Sequence, residues 1–235
     1  MRILAVIPAR AGSKRVLKKN LHLIGSKPLV AWSIDSAISA SIFSDVLVTT
    51  DDEEIAKVCK DYKALVPWLR PEYLSTDTAN SVDVAIHAID WYESEVSRLD
   101  AVMLLQPTSP FRYLNTIVEA VRLFEESEMA PVVSVTESRD HPEWALKIEN
   151  SRLSPLLEGS KLGTRSQDLG KVYTPTGSIY LIKPDELRVS KTFYGLQNAI
   201  PLVIENFEES LDIDTLWDFK VANLILDDLG RNSFN

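Results

Sequence analysis

Ile7-Pro-Ala-Arg-Ala-Gly-Ser-Lys-Arg-Val-Leu-Lys-Lys-Asn-Leu21 follows directly on the apolar run Ile3-Leu-Ala-Val-Ile7. The run reads as a buried first strand. The segment after it breaks at Gly12-Ser13 and carries Arg10, Lys14, Arg15, Lys18 and Lys19. The chain as a whole is acidic, with net charge -9, yet no Asp or Glu precedes Asp35. Positive charge is concentrated beyond the carboxyl end of a strand, where α/β sheets hold their ligands. A solvated basic loop is the plain alternative, but the position directly after the first strand favours a polyanion site.

Working outward, short apolar and β-branched runs recur at residues 46–50, 101–105 and 132–135. Each is nearly continuous in hydrophobicity, as strands covered on both faces are. Amphipathic patterns lie between them, at 29–40 after Pro28, from Asp51-Asp52-Glu53-Glu54 onward, at 82–96 and at 116–126. The acidic start of the second suits the positive end of a helix dipole. Strand and helix alternate, so the expected fold class is α/β, a mostly parallel sheet with helices on both faces. From 138 to 176 the alternation weakens into a polar, Pro- and Gly-punctuated stretch that still holds Trp144, Leu156, Leu157 and Tyr173. That stretch reads as an excursion that packs on something else, a second subunit being the natural candidate. Regular structure resumes at 177–182 and 200–204, with a last helix near 215–229.

At 235 residues with 45% hydrophobic and 25% charged residues, the chain fits one large domain with its own core. Its acidic balance argues against nucleic acid as a partner. No apolar run approaches the ~20 residues that span a bilayer. Cys59 is the only cysteine, so no internal disulfide forms; it is expected on a buried helical face. The first residues lack a signal-peptide core, and a cytoplasmic small-molecule enzyme is expected.

The basic loop is neither a P-loop nor a dinucleotide fingerprint. Phosphates would meet side-chain cations and the backbone N–H groups near Gly12 and Ser13. Ser210-Leu-Asp212-Ile-Asp214-Thr is the second signal. In an extended segment Asp212 and Asp214 project to one side, and Mg²⁺ between them would relieve their repulsion. The bland reading makes Asp214 the N-cap of the next helix. Gln106-Pro-Thr-Ser-Pro-Phe-Arg112 opens onto the same crevice, with Gln106 able to donate and accept hydrogen bonds and the rest a turn. Arg70-Pro-Glu-Tyr-Leu-Ser-Thr-Asp-Thr-Ala-Asn-Ser81 is a polar loop in which Ser81 would cap the helix that follows. The three histidines lack ligand spacing for zinc, and no Gly-x-Ser-x-Gly elbow marks a hydrolase.

Together these segments resemble the cytidylyltransferases that activate nine-carbon sugar acids, the CMP-sialic acid synthetases. The resemblance runs nearly end to end. It rests on Ile7-Pro-Ala-Arg-Ala-Gly-Ser-Lys with Asn20, on Arg70-Pro with Asp77-Thr-Ala, on Leu105-Gln-Pro-Thr-Ser-Pro, on Arg165-Ser-Gln-Asp-Leu, and on Asp212-Ile-Asp. It implies a Rossmann-like nucleotidyltransferase fold in a single domain, 1–235, with a dimerisation excursion at 138–176. It implies CTP and a nonulosonic acid as substrates, Mg²⁺ as cofactor, and a homodimer. Arg10, Ser13, Lys14 and Lys19 would hold the CTP phosphates, and Ala9, Arg70, Ala79 and Ser81 the cytosine and ribose. Gln106, Tyr180 and Phe193 would line the sugar-acid pocket, with Arg165 lent to the neighbouring subunit. Asp212 and Asp214 would carry Mg²⁺; Arg10, Lys14, Lys19 and Asp214 would act directly on the reacting phosphates.

Two departures fall near the sugar pocket. Thr176 stands where many relatives have Asn before Gly177, and Gly170 where they have proline. The acid therefore stays open: N-acetylneuraminate first, with legionaminate or a similar acid as the alternative and the eight-carbon acid of lipopolysaccharide further off. Rival classes are an aspartyl phosphatase using Asp212-Ile-Asp-Thr and a nucleotide-binding module without chemistry.

Overall fold

A computed structural model describes residues 1–13 and 15–229. Six strands form the central sheet: β1 (Ile3–Pro8), β4 (Asp45–Thr49), β5 (Ala101–Leu104), β6 (Val132–Glu137), β9 (Tyr173–Ile182) and β10 (Ile200–Val203). Their order is β10-β6-β9-β5-β1-β4. β1 pairs in parallel with β4 and β5, and β10 with β6, while β9 runs antiparallel to both of its neighbours. Two short antiparallel pairs stand outside it, β2 (Leu23–Ile24) with β3 (Lys27–Pro28), and β7 (Leu146–Glu149) with β8 (Arg152–Pro155).

Alternation along β1 divides the core in two. Ile3, Ala5 and Ile7 face α1 (Leu29–Ala40), α2 (Glu53–Asp61) and α4 (Leu114–Glu126), through Ile34, Ile55 and Phe124 among others. Leu4 and Val6 face α3 (Ser81–Glu95) and α5 (Pro184–Ser190), through Ile89, Tyr92 and Leu187. Side chains of a strand point alternately to opposite faces, so a strand in this central position must be apolar at every residue. That is why the 3–7 run was legible without any periodicity. α6 (Leu216–Leu229) instead builds a third cluster with Ile24, Phe111 and Ile213, near the end of the sheet where the basic loop emerges. No helix among the described residues is long and apolar enough to cross a membrane.

The expected helices are found within a residue or two of their bounds. At α2 the Asp52 carboxylate accepts the Ile55 N–H at 2.9 Å, with Glu53 and Glu54 in the first turn. Two capping expectations are corrected. Asn80, not Ser81, caps α3, accepting the Asp83 N–H at 2.7 Å. Asp214 is not the cap of α6. Thr215 and Asp218 close it reciprocally, the Thr215 hydroxyl accepting the Asp218 N–H and the Asp218 carboxylate accepting the Thr215 N–H at 2.6 Å. Both acidic side chains of Asp212-Ile-Asp214 are therefore left to other work.

Cys59 is fully buried on the inner face of α2, and burial pushes its thiol up to about 12. Since the thiolate is the reactive form, the folded protein at pH 8 should leave an aromatic disulfide reagent unreacted, with one thiol appearing only in denaturant. Rapid labelling of the native protein would contradict this placement.

Candidate active site

The loop after β1 closes over the end of the sheet. Ala9 is buried, its N–H donating to the Thr49 carbonyl at 3.0 Å. Asn20 reaches back to hold the Arg10 carbonyl at 2.9 Å, and Asp51 accepts the Ala11 N–H at 2.9 Å. A side chain at Gly12 would meet open space within 4 Å, so the backbone there is approachable. Lys14 lies outside the described residues, and Ser13 is half-buried beside it.

Each remaining cation of the loop is matched by a carboxylate. Arg10 donates to Asp77 at 3.1 Å and to the Thr76 carbonyl at 3.0 Å. Lys18 pairs with Glu54, and Arg15 with Asp214. Lys19 is the least exposed of them, and its Nζ donates to the Ile213 carbonyl at 2.8 Å and to Asp214 Oδ1 at 3.1 Å. Two of the loop cations, Arg15 and Lys19, are thus tied to Asp214.

Arg70 stands behind this loop. It is buried, and its N–H donates to the Thr50 carbonyl at 2.6 Å. Its guanidinium lies 3.7 Å from Asp51, yet Nε and Nη2 find no hydrogen-bond partner among the described residues. Burial lowers its pKa, with Asp51 opposing. Buried donors without acceptors are costly. Ala79 is in the adjoining turn, its N–H on the Thr76 carbonyl, and Ser81 opens α3 directly after it.

On the other side of the Lys19–Asp214 contact, Gln106, Tyr180, Phe193 and Asp212 gather around a break in β9. The register with β6 shifts between Val133, opposite Tyr180, and Val135, opposite Pro175. Ser134 fills the irregularity, its hydroxyl accepting the Ile179 N–H at 2.9 Å and lying 2.7 Å from the Thr176 hydroxyl. Gly177 sits in the bulge at φ +77°, and a Cβ there would lie 2.9 Å from Gln106 Oε1. Only glycine combines that backbone with that approach. Tyr180 packs on Phe193 at 5.6 Å. Burial raises its phenol to about 12, with Tyr194 and Asp212 adding and the Gly177 N–H opposing.

Asp212 lies at the edge of a cavity of about 690 Å³ that Arg139, Lys171, Tyr173, Ile204 and Phe207 also line. Burial raises its pKa; the Thr108 hydroxyl opposes, and Asp214 adds to the rise. The Asp212 and Asp214 carboxylates are hard oxygen donors of the kind a divalent cation takes. No cluster of three or more His, Cys, Asp or Glu suited to a metal occurs among the described residues. Arg165 is exposed in the excursion and does not line the cavity.

The sequence that builds this layout, a cationic loop after the first strand and an acidic pair near the far end, matches a known family over nearly its whole length. The family model for cytidylyltransferases covers residues 4–219. The chain belongs to that family. CMP-N,N'-diacetyllegionaminic acid synthase of Legionella pneumophila is 37% identical over 97% of both chains. N-acylneuraminate cytidylyltransferase of Escherichia coli O18:K1:H7 is 35% identical over 94% of this chain, which spans 51% of that protein. A solved structure of CMP:2-keto-3-deoxy-manno-octonic acid synthetase, complexed with CTP, superposes with a TM-score of 0.71. It covers 97% of this chain and all of that one at 16% identity, a likeness of fold alone.

What the sequence did not single out in this cytidylyltransferase is the rest of the turn at 106–112. Its residues read as punctuation and prove to be a hub. The Thr108 carbonyl accepts the Ile213 N–H at 2.7 Å, and the Thr108 hydroxyl reaches Asp212. Ser109 donates to the Thr176 carbonyl at 3.4 Å. Arg112 is fully buried. Its only sequence signal is a charge at the end of an otherwise uncharged turn.

Proposed function

We propose that this cytidylyltransferase transfers CMP from CTP to the anomeric hydroxyl of a nonulosonic acid. The anomeric oxygen bonds to the α-phosphorus, the bond to the β-phosphate bridging oxygen breaks, and that oxygen leaves with its electron pair as pyrophosphate; the hydroxyl proton passes to solvent. The observation that carries the reading is the Lys19–Asp214 contact. It joins the nucleotide-side loop to the acidic pair, and beyond that pair stand Gln106, Gly177 and Tyr180.

Arg70, with its unpartnered donors, and the Ala9, Ala79 and Ser81 backbone wall suit cytosine and ribose. Arg10, Ser13, Lys14 and Lys19 would exchange their present partners for phosphate oxygens. Exposed ion pairs contribute little to the fold and are given up readily, whereas a contact to a charged phosphate is stronger. Alignment and charge screening are the main tasks in such transfers. Asp212 and Asp214 would hold Mg²⁺, which completes its shell with water and phosphate oxygens. Bound there, it would act as a Lewis acid on the phosphates. The cations of the loop would then stabilise the departing pyrophosphate.

For the acid, Gln106, Tyr180 and Phe193 remain the residues of the pocket, and the cavity beside Asp212 is a second, separately lined space. Arg139, Ile204 and Phe207 line it, together with Glu137, Asp140 and Glu205 and with Lys171, which pairs with Glu137. Within the family the L. pneumophila relative favours a di-N-acylated acid of the legionaminate type, with N-acetylneuraminate as the close alternative. A cytoplasmic homodimer completes the reading. Leu146, Ile148, Leu153, Leu156, Leu157 and Leu162 of the excursion are exposed in the single chain, and a partner covering them would also bring Arg165 to its neighbour's site.

Incubation with CTP, Mg²⁺ and a panel of nonulosonic acids tests the assignment. Pyrophosphate release should depend on the acid and be fastest with the di-N-acylated one. Release of inorganic phosphate, or no acid-dependent release at all, would end it.

A further inference from the structure

Arg112 makes its contacts entirely within the protein. Nε donates to the Ser178 carbonyl at 2.8 Å, Nη1 to the Ser33 hydroxyl at 2.8 Å, and Nη2 to the Gln106 carbonyl at 2.5 Å. One planar group thus binds the turn that carries Gln106, the strand β9 immediately after Gly177, and helix α1. Its counter-charge is Glu209, also buried, whose carboxylate accepts the Tyr113 N–H at 2.9 Å and the Thr116 hydroxyl at 3.1 Å. Glu209 leads by three residues into Asp212.

A charge buried this deeply is costly to desolvate and is weak evidence of a stabilising role. A guanidinium does what apolar residues do not, which is to fix three acceptors in one plane. Here two of them are the carbonyls on either side of the Gln106–Gly177 approach. A change in either carbonyl's position moves the Gln106 carboxamide relative to the bulge, where there is no room to spare.

We propose that Arg112 is a positioning residue for the acceptor-sugar side of the site, holding Gln106 against Gly177 through their backbones. This rests on the functional reading given above, in which Gln106 meets the acid. Among the described residues no hydrogen bond or ion pair joins Arg112 to Arg10, Arg15, Lys18, Lys19 or Arg70, so the nucleotide side should respond far less to it.

The test uses Arg112→Lys, which keeps the charge opposite Glu209 but cannot span three acceptors. A second variant, Arg112→Met with Glu209→Gln, removes both charges together and guards against a folding failure. Two quantities are measured, amide hydrogen exchange without substrates and the separate KM values for CTP and for the acid that the wild type uses best. Exchange should accelerate in peptides covering 104–112 and 174–182 and stay unchanged elsewhere. The acid KM should rise at least ~10-fold, as sub-ångström misplacement commonly costs, with the CTP KM within ~2-fold. Unchanged exchange in those peptides overturns the proposal, whatever the kinetics. So does a parallel rise in both KM values or exchange that accelerates throughout, either of which marks a merely structural role. Should the wild type turn over no acid, the functional reading fails, and the exchange data alone decide whether Arg112 clamps the turn.

Discussion

Replacing Asp214 with alanine should cut Mg²⁺-dependent turnover by ~10³-fold, the scale of removing a group that stabilises charge in the transition state, and should leave the fold intact. The second half follows from the end of α6. Thr215 and Asp218 cap that helix between themselves, and the Asp214 backbone N–H, which the substitution keeps, also donates to Asp218. The lost side chain therefore uncaps nothing and leaves no cavity in the core. It does release Lys19 and Arg15, so binding of CTP without metal should be preserved or tightened. Pyrophosphate release, circular dichroism and nucleotide titration check the three parts. Near-normal turnover in the variant would falsify the assignment of Asp214 to the reacting centre.

Lys19→Ala should lower kcat/KM for CTP by roughly 10²-fold, because a charge-assisted contact is worth ~1.5–3 kcal/mol and ~1.4 kcal/mol is tenfold. The KM for the acid should stay where it is. Lys19 is well placed for so large an effect. Its chain is mostly buried, and the Ile213 carbonyl orients its ammonium. Arg15, on the other oxygen of Asp214, is a mobile-length side chain in solvent and is a poor substitute. Because Lys19 and Asp214 touch, the double variant should lose less than the two single losses combined. Full additivity would show that the pair does not act as one unit, and unchanged CTP kinetics would take Lys19 out of the site.

How much of this was legible depended on whether a residue's role was local. β1, β4, β5 and the helices between them follow from short apolar runs and amphipathic spacing, which are local properties. The strand β9 was read only from Gly177 onward. Its first residues, Tyr173-Thr-Pro-Thr176, look like loop, and it is pairing with β6 that makes them strand. The excursion as expected thus ran a few residues too far. The hairpin of β7 and β8 inside it was missed for a different reason. Its turn uses Asn150 and Ser151, both at positive φ, without the glycine that normally announces such a turn.

The site divides in the same way. Asp212 and Asp214, two residues apart, and the cations of one loop declare themselves by composition. Arg10 and Arg70 meet through Asp51 and the turn at Thr76 and Asp77, and nothing in the spacing of those segments predicts it. Arg112 is the sharpest case: a charged residue in a turn reads as solvent-facing until the packing of α1, β9 and the turn encloses it. The expectation that Trp144, Leu156, Leu157 and Tyr173 supply burial for the excursion is met only in part. Trp144 is half-buried, with Nε1 on the Thr164 carbonyl at 3.0 Å, while the other three remain exposed.

The way the excursion is hung from the sheet has a mechanical side. It leaves from the end of β6 and returns at the start of β9, and these two strands are paired, Thr136 with Thr174 and Glu137 with Tyr173. Both of its attachments are thus fastened together, and Pro175, Thr176 and Gly177 follow along β9. A body gripping the β7–β8 hairpin would hold a lever whose short arm is the bulge itself, and so would have purchase on the acceptor pocket without entering it.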